Sequence, residues 1–203
     1  MHSLPRPRVF RNARRALALG AAAWFGAACA NPPPPSAVSR LPEYGAEDAS
    51  LLDDGFSGHL FETAFVPGVA GSDPHFEDRV RAAQSIWAVK VATVSRAGSM
   101  GTSRRYELTL RPLEHLAGDP PPAHVSLTIS GKDPSFHWLD RVGGAWVGRE
   151  ILLMVRDYRV GERTVMHFHG EPNTPDLRAR IAAIRAAAEA AAARERAARA
   201  PQK

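Results

Sequence analysis

The sequence predicts a mainly β domain followed by one long C-terminal helix. Three observations carry this. Between residues 85 and 169, short runs rich in β-branched and aromatic residues alternate in polarity. Clusters of Gly and Pro separate those runs. From Thr174 onward Ala, Arg and Glu take over, with apolar positions at helical spacing. The composition agrees: 203 residues with 44% hydrophobic and 23% charged side chains suit one globular domain with flanking segments. No apolar run reaches the ~18–20 residues of a membrane-spanning helix.

Charge is unevenly placed. The chain carries 26 Lys+Arg against 21 Asp+Glu, a net +5. Arg6, Arg8, Arg11, Arg14 and Arg15 fall in residues 1–28, which hold no acid. From Cys29 onward the remaining 21 bases meet 21 acids and the net charge is zero. A nucleic-acid binder needs a basic patch on the folded domain, and the whole-chain charge gives no support for one. We therefore expect no nucleic-acid partner.

The first 28 residues read as a secretory signal peptide. A basic start ends at Arg14-Arg15, Ala16 to Ala28 are uncharged and mostly apolar, and small residues precede Cys29. The positive end stays on the cytoplasmic side while the apolar stretch enters the membrane. Cys29, the single cysteine of the chain, stands directly after Phe25-Gly26-Ala27-Ala28. This resembles the lipobox of bacterial lipoproteins, in which cleavage exposes a cysteine that carries lipid; Gly26 stands where that family prefers leucine. The resemblance implies lipid attachment at Cys29 and residence in the bacterial cell envelope, anchored on the periplasmic or outer face. The other cut, after Ala28-Cys29-Ala30, would leave a chain beginning at Asn31, secreted or periplasmic without an anchor. Arg14-Arg15-Ala16-Leu17 also faintly resembles a twin-arginine export signal, beside the general secretory reading. Residues 29–41 form the linker, where Pro32 to Pro35 favour a stiff polyproline II spacer of about 3.1 Å per residue. Lipid holds a protein well when more than one chain is attached, each buried CH₂ contributing about 0.8 kcal/mol.

Residues 42–84 form an acidic, irregular segment with a short helix. Residues 29–78 hold Arg40 against nine acids, a net −8. Leu51, Leu52, Phe56, Leu60, Phe61 and Phe65 are too apolar for a solvated tail, so this segment is expected to lie against the domain. Asp73-Pro74 opens a helix over about His75 to Ala83, with Phe76, Val80 and Ala83 on one face. Residues 85–172 hold the strands: Ser85 to Ser95, Arg104 to Leu116, His124 to Ser130, Val147 to Tyr158 and Arg163 to His169. Pro112 directs the second half of its strand to an edge or a bulge. Gly131 to Asp140 offers a short helical link, and Gly143-Gly144 breaks the chain. Residues 174–200 form the final helix. Thr174 suits the N-cap, Pro175 the first helical position and Asp176 the positive end of the helix dipole. Leu177, Ile181, Ile184 and Ala188 make a narrow apolar stripe, so the helix is expected to dock by its first turns and then project.

Three strands, a helical link and two strands is the element order of a small five-stranded OB-like Greek-key barrel. The runs Ala88 to Ser95, Tyr106 to Gly118, Val125 to Ile129 and Val147 to Leu153 resemble the netrin/TIMP-type variant of that barrel over about residues 85–170. The cysteines of the animal domains are absent, and with them the protease inhibition that depends on an N-terminal cysteine amine. A lipocalin-like or sandwich pairing of the same strands is the other fold these runs allow.

Candidate chemistry is sparse. His167 and His169 lie on one face of a strand, about 6.6 Å apart along it, and His124 or His137 would have to supply a third ligand. The competing placement puts both on the solvent face, with Met166 and Phe168 inward. His75, Glu77 and Asp78 fit capping and solvation of a helix start. Asp53-Asp54 and Asp133 with Asp140 are acid pairs, which catalyse only when a fold opposes them across a cleft. No G-x-S-x-G, G-x-x-x-x-G-K-[ST], H-E-x-x-H or G-x-G-x-x-G motif occurs. Trp87 fits core packing, whereas Trp138 and Trp146 flank the Gly143-Gly144 loop as an expected exposed pair. The strand 2–3 face, at Arg104, Arg105 and Arg111, is where an OB barrel would take a ligand. We expect lipid at Cys29 and no catalytic, cofactor or metal site. The expected role is a non-catalytic interaction or structural module of the envelope, partnered by the membrane and by an envelope protein or glycan. A domain binding oligosaccharide or peptidoglycan fragments is the alternative, and a metal-dependent enzyme built around His167 and His169 is a third.

Overall fold

Alternation decides which faces of the strands are covered. The computed structural model describes residues 40–61, 73–98 and 104–199. The leader, Cys29, the Pro-rich run and Phe65 lie outside the described residues. In chain order the elements are α1 (Ala46–Leu51), β1 (Gly55–Phe56), a 3-10 turn at Gly58–Leu60, α2 (Phe76–Ala82), β2 (Ser85–Ala97), β3 (Arg105–Ala117), β4 (Val125–Ser130), α3 (Phe136–Val142), a 3-10 turn at Gly143–Trp146, β5 (Glu150–Val160), β6 (Arg163–Pro172) and α4 (Pro175–Arg199). The protein is mainly β with a C-terminal helix.

The strands form one curled, mixed sheet of six, in the order β1-β6-β5-β2-β3-β4. All neighbours are antiparallel except β1, which runs parallel to β6. This corrects the five-strand expectation. The sixth strand, Gly55–Phe56, comes from the segment read as irregular; two residues are too few to show a period. Among the described residues no ladder joins β4 to β6, so the curl stops short of a closed barrel. Pro112 sits where the β2–β3 register slips between Ala88 and Val89, the bulge its missing N–H demands. Gly118 ends β3 at φ +77°, and a Cβ there would lie 2.0 Å from the Gln84 carbonyl oxygen. Only glycine fits that turn.

Both faces are covered, which is why β2 and β5 read as nearly unbroken apolar runs. Inside the curl, Trp87, Val89, Leu108, Leu110, Leu127, Ile129, Ile151 and Leu153 pack with Phe56, Phe61, Phe136 and Trp146. On the outer face, Leu152, Met154, Ile86 and Ala88 pack under Leu52 of the leading segment, Phe76 and Val80 of α2, and Leu177 and Ile181 of α4. Each such side chain contributes about 1.5–3 kcal/mol by leaving water. Beyond Arg185 every described residue of α4 is exposed.

Candidate functional site: an acid–histidine column on the edge of the sheet

Directly paired residues of neighbouring strands share a face. His167, His169 and Glu171 of β6 sit opposite Arg156, Met154 and Leu152 of β5. They therefore belong to the outer face, under the leading segment, and not to solvent. This overturns the placement of His167 and His169 on a solvent face. His169 is 3% and Glu171 1% exposed, and His167 is buried with them. Phe168 points the other way, into the curl.

The β1–β6 pairing brings the aspartates to the histidines. Gly55 pairs with His169 and Phe56 with Gly170, so the turn just before β1 lies along the column. Gly170 is needed here because a Cβ would fall 2.3 Å from a ring carbon of Phe56. Asp53 Oδ1 lies 2.7 Å from His169 Nδ1. Asp54 Oδ2 lies 2.8 Å from His167 Nδ1, and its Oδ1 accepts the Phe168 N–H at 3.1 Å. Asp54 takes a left-handed backbone, φ 52°, which Asp tolerates better than most residues. The two carboxylates thus do not face each other across a cleft; each engages its own imidazole.

The surroundings of the two pairs differ. His167 stacks on Tyr44, ring centroids 3.5 Å apart and ring planes nearly parallel, with Tyr158 edge-on at 5.7 Å. Burial raises the Asp54 carboxyl above its usual range, and the pull of His167 only partly offsets this. Burial, with Asp54 and Asp53 nearby, pushes the Tyr44 phenol up to about 12. Tyr158 is raised too, by burial and by the hydrogen bond its hydroxyl donates to Asp48 at 2.7 Å.

His169 instead lies between two carboxylates, with Glu171 Oε1 3.4 Å from its Nε2. Burial opposes the imidazolium, but Asp53 and Glu171 outweigh it and the net shift is upward. Burial likewise opposes the Asp53 carboxylate, yet His169 and Arg79 hold its value below the usual range. Arg79 of α2 pairs with Asp73, approaches Glu171 Oε1 at 3.9 Å and donates from Nε to the Leu51 carbonyl at 2.7 Å. A cleft of about 300 Å³, lined by Asp53, Asp73, Arg79, His169, Ser57 and His59 among others, leads from the column to solvent. Asp73, His169 and Glu171 each offer a donor atom, all within 4.8 Å of one another.

The other candidates disperse. His124 and His137 are exposed and join neither histidine of β6. The backbone N–H of His75 bonds Asp73 Oδ1, while Glu77 and Asp78 pair with Arg81 on the surface. Asp133 accepts from the Ser130 N–H, and Asp140 takes the Tyr106 hydroxyl at 2.8 Å and Arg96 at 3.3 Å, so both pin α3 to the sheet. Trp87 is buried and donates to the Asp119 carbonyl. Trp146 is fully buried, stacked on Phe61 and edge-on to Phe56, and among the described residues only Trp138 is an exposed tryptophan, at 42%. The expected exposed tryptophan pair is therefore corrected: the 3-10 turn after Gly143 folds Trp146 into the core. Arg104, Arg105 and Arg111 are exposed on or beside β3, and Arg105 is engaged with Glu107.

Sequence reasoning did not find Glu171, Arg79, Asp73 or Tyr44. For Glu171 a signal existed: His167, His169 and Glu171 alternate, and the strand runs on to Pro172, three residues past the expected end at His169. No helix of the described residues is long and apolar enough to cross a membrane. No family model, no curated protein and no solved structure matches this chain, so the functional reading rests on its own residues.

Proposed function

We propose that this chain is an exported, lipid-anchored module of the bacterial cell envelope that works by binding a partner and not by catalysis, on an opened barrel of OB type. The observation that carries the reading is the order of residues at the start: five arginines, an uncharged apolar run from Ala16 to Ala28, the single Cys29 and four prolines. That order directs export, supplies an attachment point and spaces the domain from the bilayer.

The strand order supports the OB-type reading. Without β1, the order β6-β5-β2-β3-β4 is that of a five-stranded OB barrel cut at the seam between its third and fifth strands. A cleft of about 420 Å³ runs along that seam, between Ser126, Leu127 and Thr128 of β4 and Thr164, Val165 and Met166 of β6. Among the described residues, β4 and the part of β6 before its two pairs with β1 have no ladder partner along this seam, and such edges are templates for another extended chain. An extended segment of an envelope protein is the partner this seam fits. The glycan alternative loses its expected platform, because Trp146 is buried and Trp138 is the one exposed tryptophan among the described residues.

Mass spectrometry of the mature N-terminus tests the reading. A mature chain beginning at an acylated Cys29 is expected, with Cys29→Ala released from the membrane fraction. An unmodified start at Asn31 overturns the anchor.

A further inference from the structure

We propose that His169, Glu171 and Asp73 form a binding site for one zinc-class divalent cation, with Asp53 orienting the histidine from behind. The first support is a distance. His169 Nε2 and Glu171 Oε1 stand 3.4 Å apart, longer than the about 2.7–2.9 Å of a charge-assisted N–H···O bond. Both atoms are fully enclosed, and neither has a hydrogen-bond partner. Two donors that each lie about 2.1 Å from a tetrahedral zinc sit about 3.4 Å from each other. Their separation therefore suits a shared ion better than a shared proton.

The second support is the partner on the far ring nitrogen. A ligating histidine almost always gives its other N–H to a carboxylate or carbonyl, which fixes the tautomer and leaves the free nitrogen aimed at the metal. Asp53 Oδ1, 2.7 Å from Nδ1, does this for His169. The third is charge. Asp53, Asp73 and Glu171 face Arg79, so with a neutral imidazole the cluster carries a net −2. A dication brings it to zero once Asp73 turns one oxygen from Arg79 to the ion, and buried charge is costly unless it is compensated. The fourth is access, through the cleft that Asp53, Asp73 and His169 line. One imidazole with two carboxylates suits zinc and its first-row neighbours better than a cage of oxygens alone. The inference holds whether or not Cys29 carries lipid.

The test is isothermal titration of zinc chloride into the full chain after chelator treatment. One ion per chain is expected, accompanied by a rise in Tm. His169→Gln and Glu171→Gln should abolish that uptake. Because His169 and Glu171 are buried and their replacement also perturbs the fold, Asp73→Asn at the cleft mouth and Asp53→Asn behind the histidine serve as the second pair. Each should keep the native circular dichroism and weaken zinc about tenfold or more. Cobalt in place of zinc should give a visible ligand-field band that Asp73→Asn alters. Folded wild-type protein that takes up no stoichiometric zinc would show an ion-pair cluster only and overturn the proposal. So would uptake that Asp73→Asn and Asp53→Asn leave unchanged, which would be adventitious zinc on surface histidines.

Discussion

Asp53–His169 and Asp54–His167 are the same residue pair set twice on one turn and one strand, yet they settle differently. In the first, a second carboxylate and an arginine surround the imidazole, the aspartate is held below its ordinary value and the histidine is drawn above it. In the second, a flat Tyr44 ring covers the imidazole and burial raises the aspartate. Identical hydrogen-bond chemistry therefore does not set the charge state; the neighbours do. The first pair is a charged link in a network, and the second is a hydrogen-bonded brace beneath an aromatic lid.

Removing the histidines separates the two most strongly. His169→Gln, in protein kept metal-free by chelator, leaves Asp53 and Glu171 without their shared cation and should cost about 3 kcal/mol in urea unfolding. His167→Gln gives up a stack and one hydrogen bond and should cost about 1 kcal/mol. Equal losses would break the comparison. Gly170→Ala presses a methyl group into Phe56, moves β1 from β6 and loosens both pairs together, at about 2 kcal/mol. If His169 alone shifts in the NMR spectrum of that variant, β1 is not the common support.

The aspartates sharpen the contrast further. Asp54→Asn keeps shape and left-handed backbone and removes a charge that burial already disfavours, so it should cost less than about 1 kcal/mol. Asp53→Asn should cost more at neutral pH. The smallest effect is in acid, and its sign differs between the two. Asp53 is lowered, so its stability is present above the ordinary 3.8 and is lost as pH falls through the lower folded value. Asp54 is raised, so its contribution is present below 3.8 and is lost as pH rises through the higher folded value. Thermal unfolding of the two Asn variants across that range should show opposite slopes relative to wild type. His169 adds stability below the ordinary 6.5 that fades as pH climbs through its raised value, and His169→Gln should flatten that limb.

How much of this was legible follows from distance along the chain. The strands were readable because Val125, Leu127 and Ile129, or Tyr106, Leu108 and Leu110, repeat every second residue. The start of α4 was readable from Thr174, whose hydroxyl accepts the Leu177 N–H at 3.2 Å. β1 was not, since Gly55–Phe56 is a strand only because β6 is beside it. The column was half legible: His167 and His169 stood out, while Asp53, Asp73 and Arg79 reach them only through β1 and α2. Trp146 misled because a Gly-Gly breaker suggests a surface loop, whereas Gly143–Trp146 coils inward under Phe61.

The exposed stretch of α4, Ala186–Arg199, has its own consequence. Fourteen helical residues extend about 21 Å, and no buried side chain ties them to the sheet. The domain thus holds its last described residues at arm's length, like a handle. A fluorophore or affinity label placed there would sample solvent freely while the acid–histidine column, near the other end of the helix, stays undisturbed.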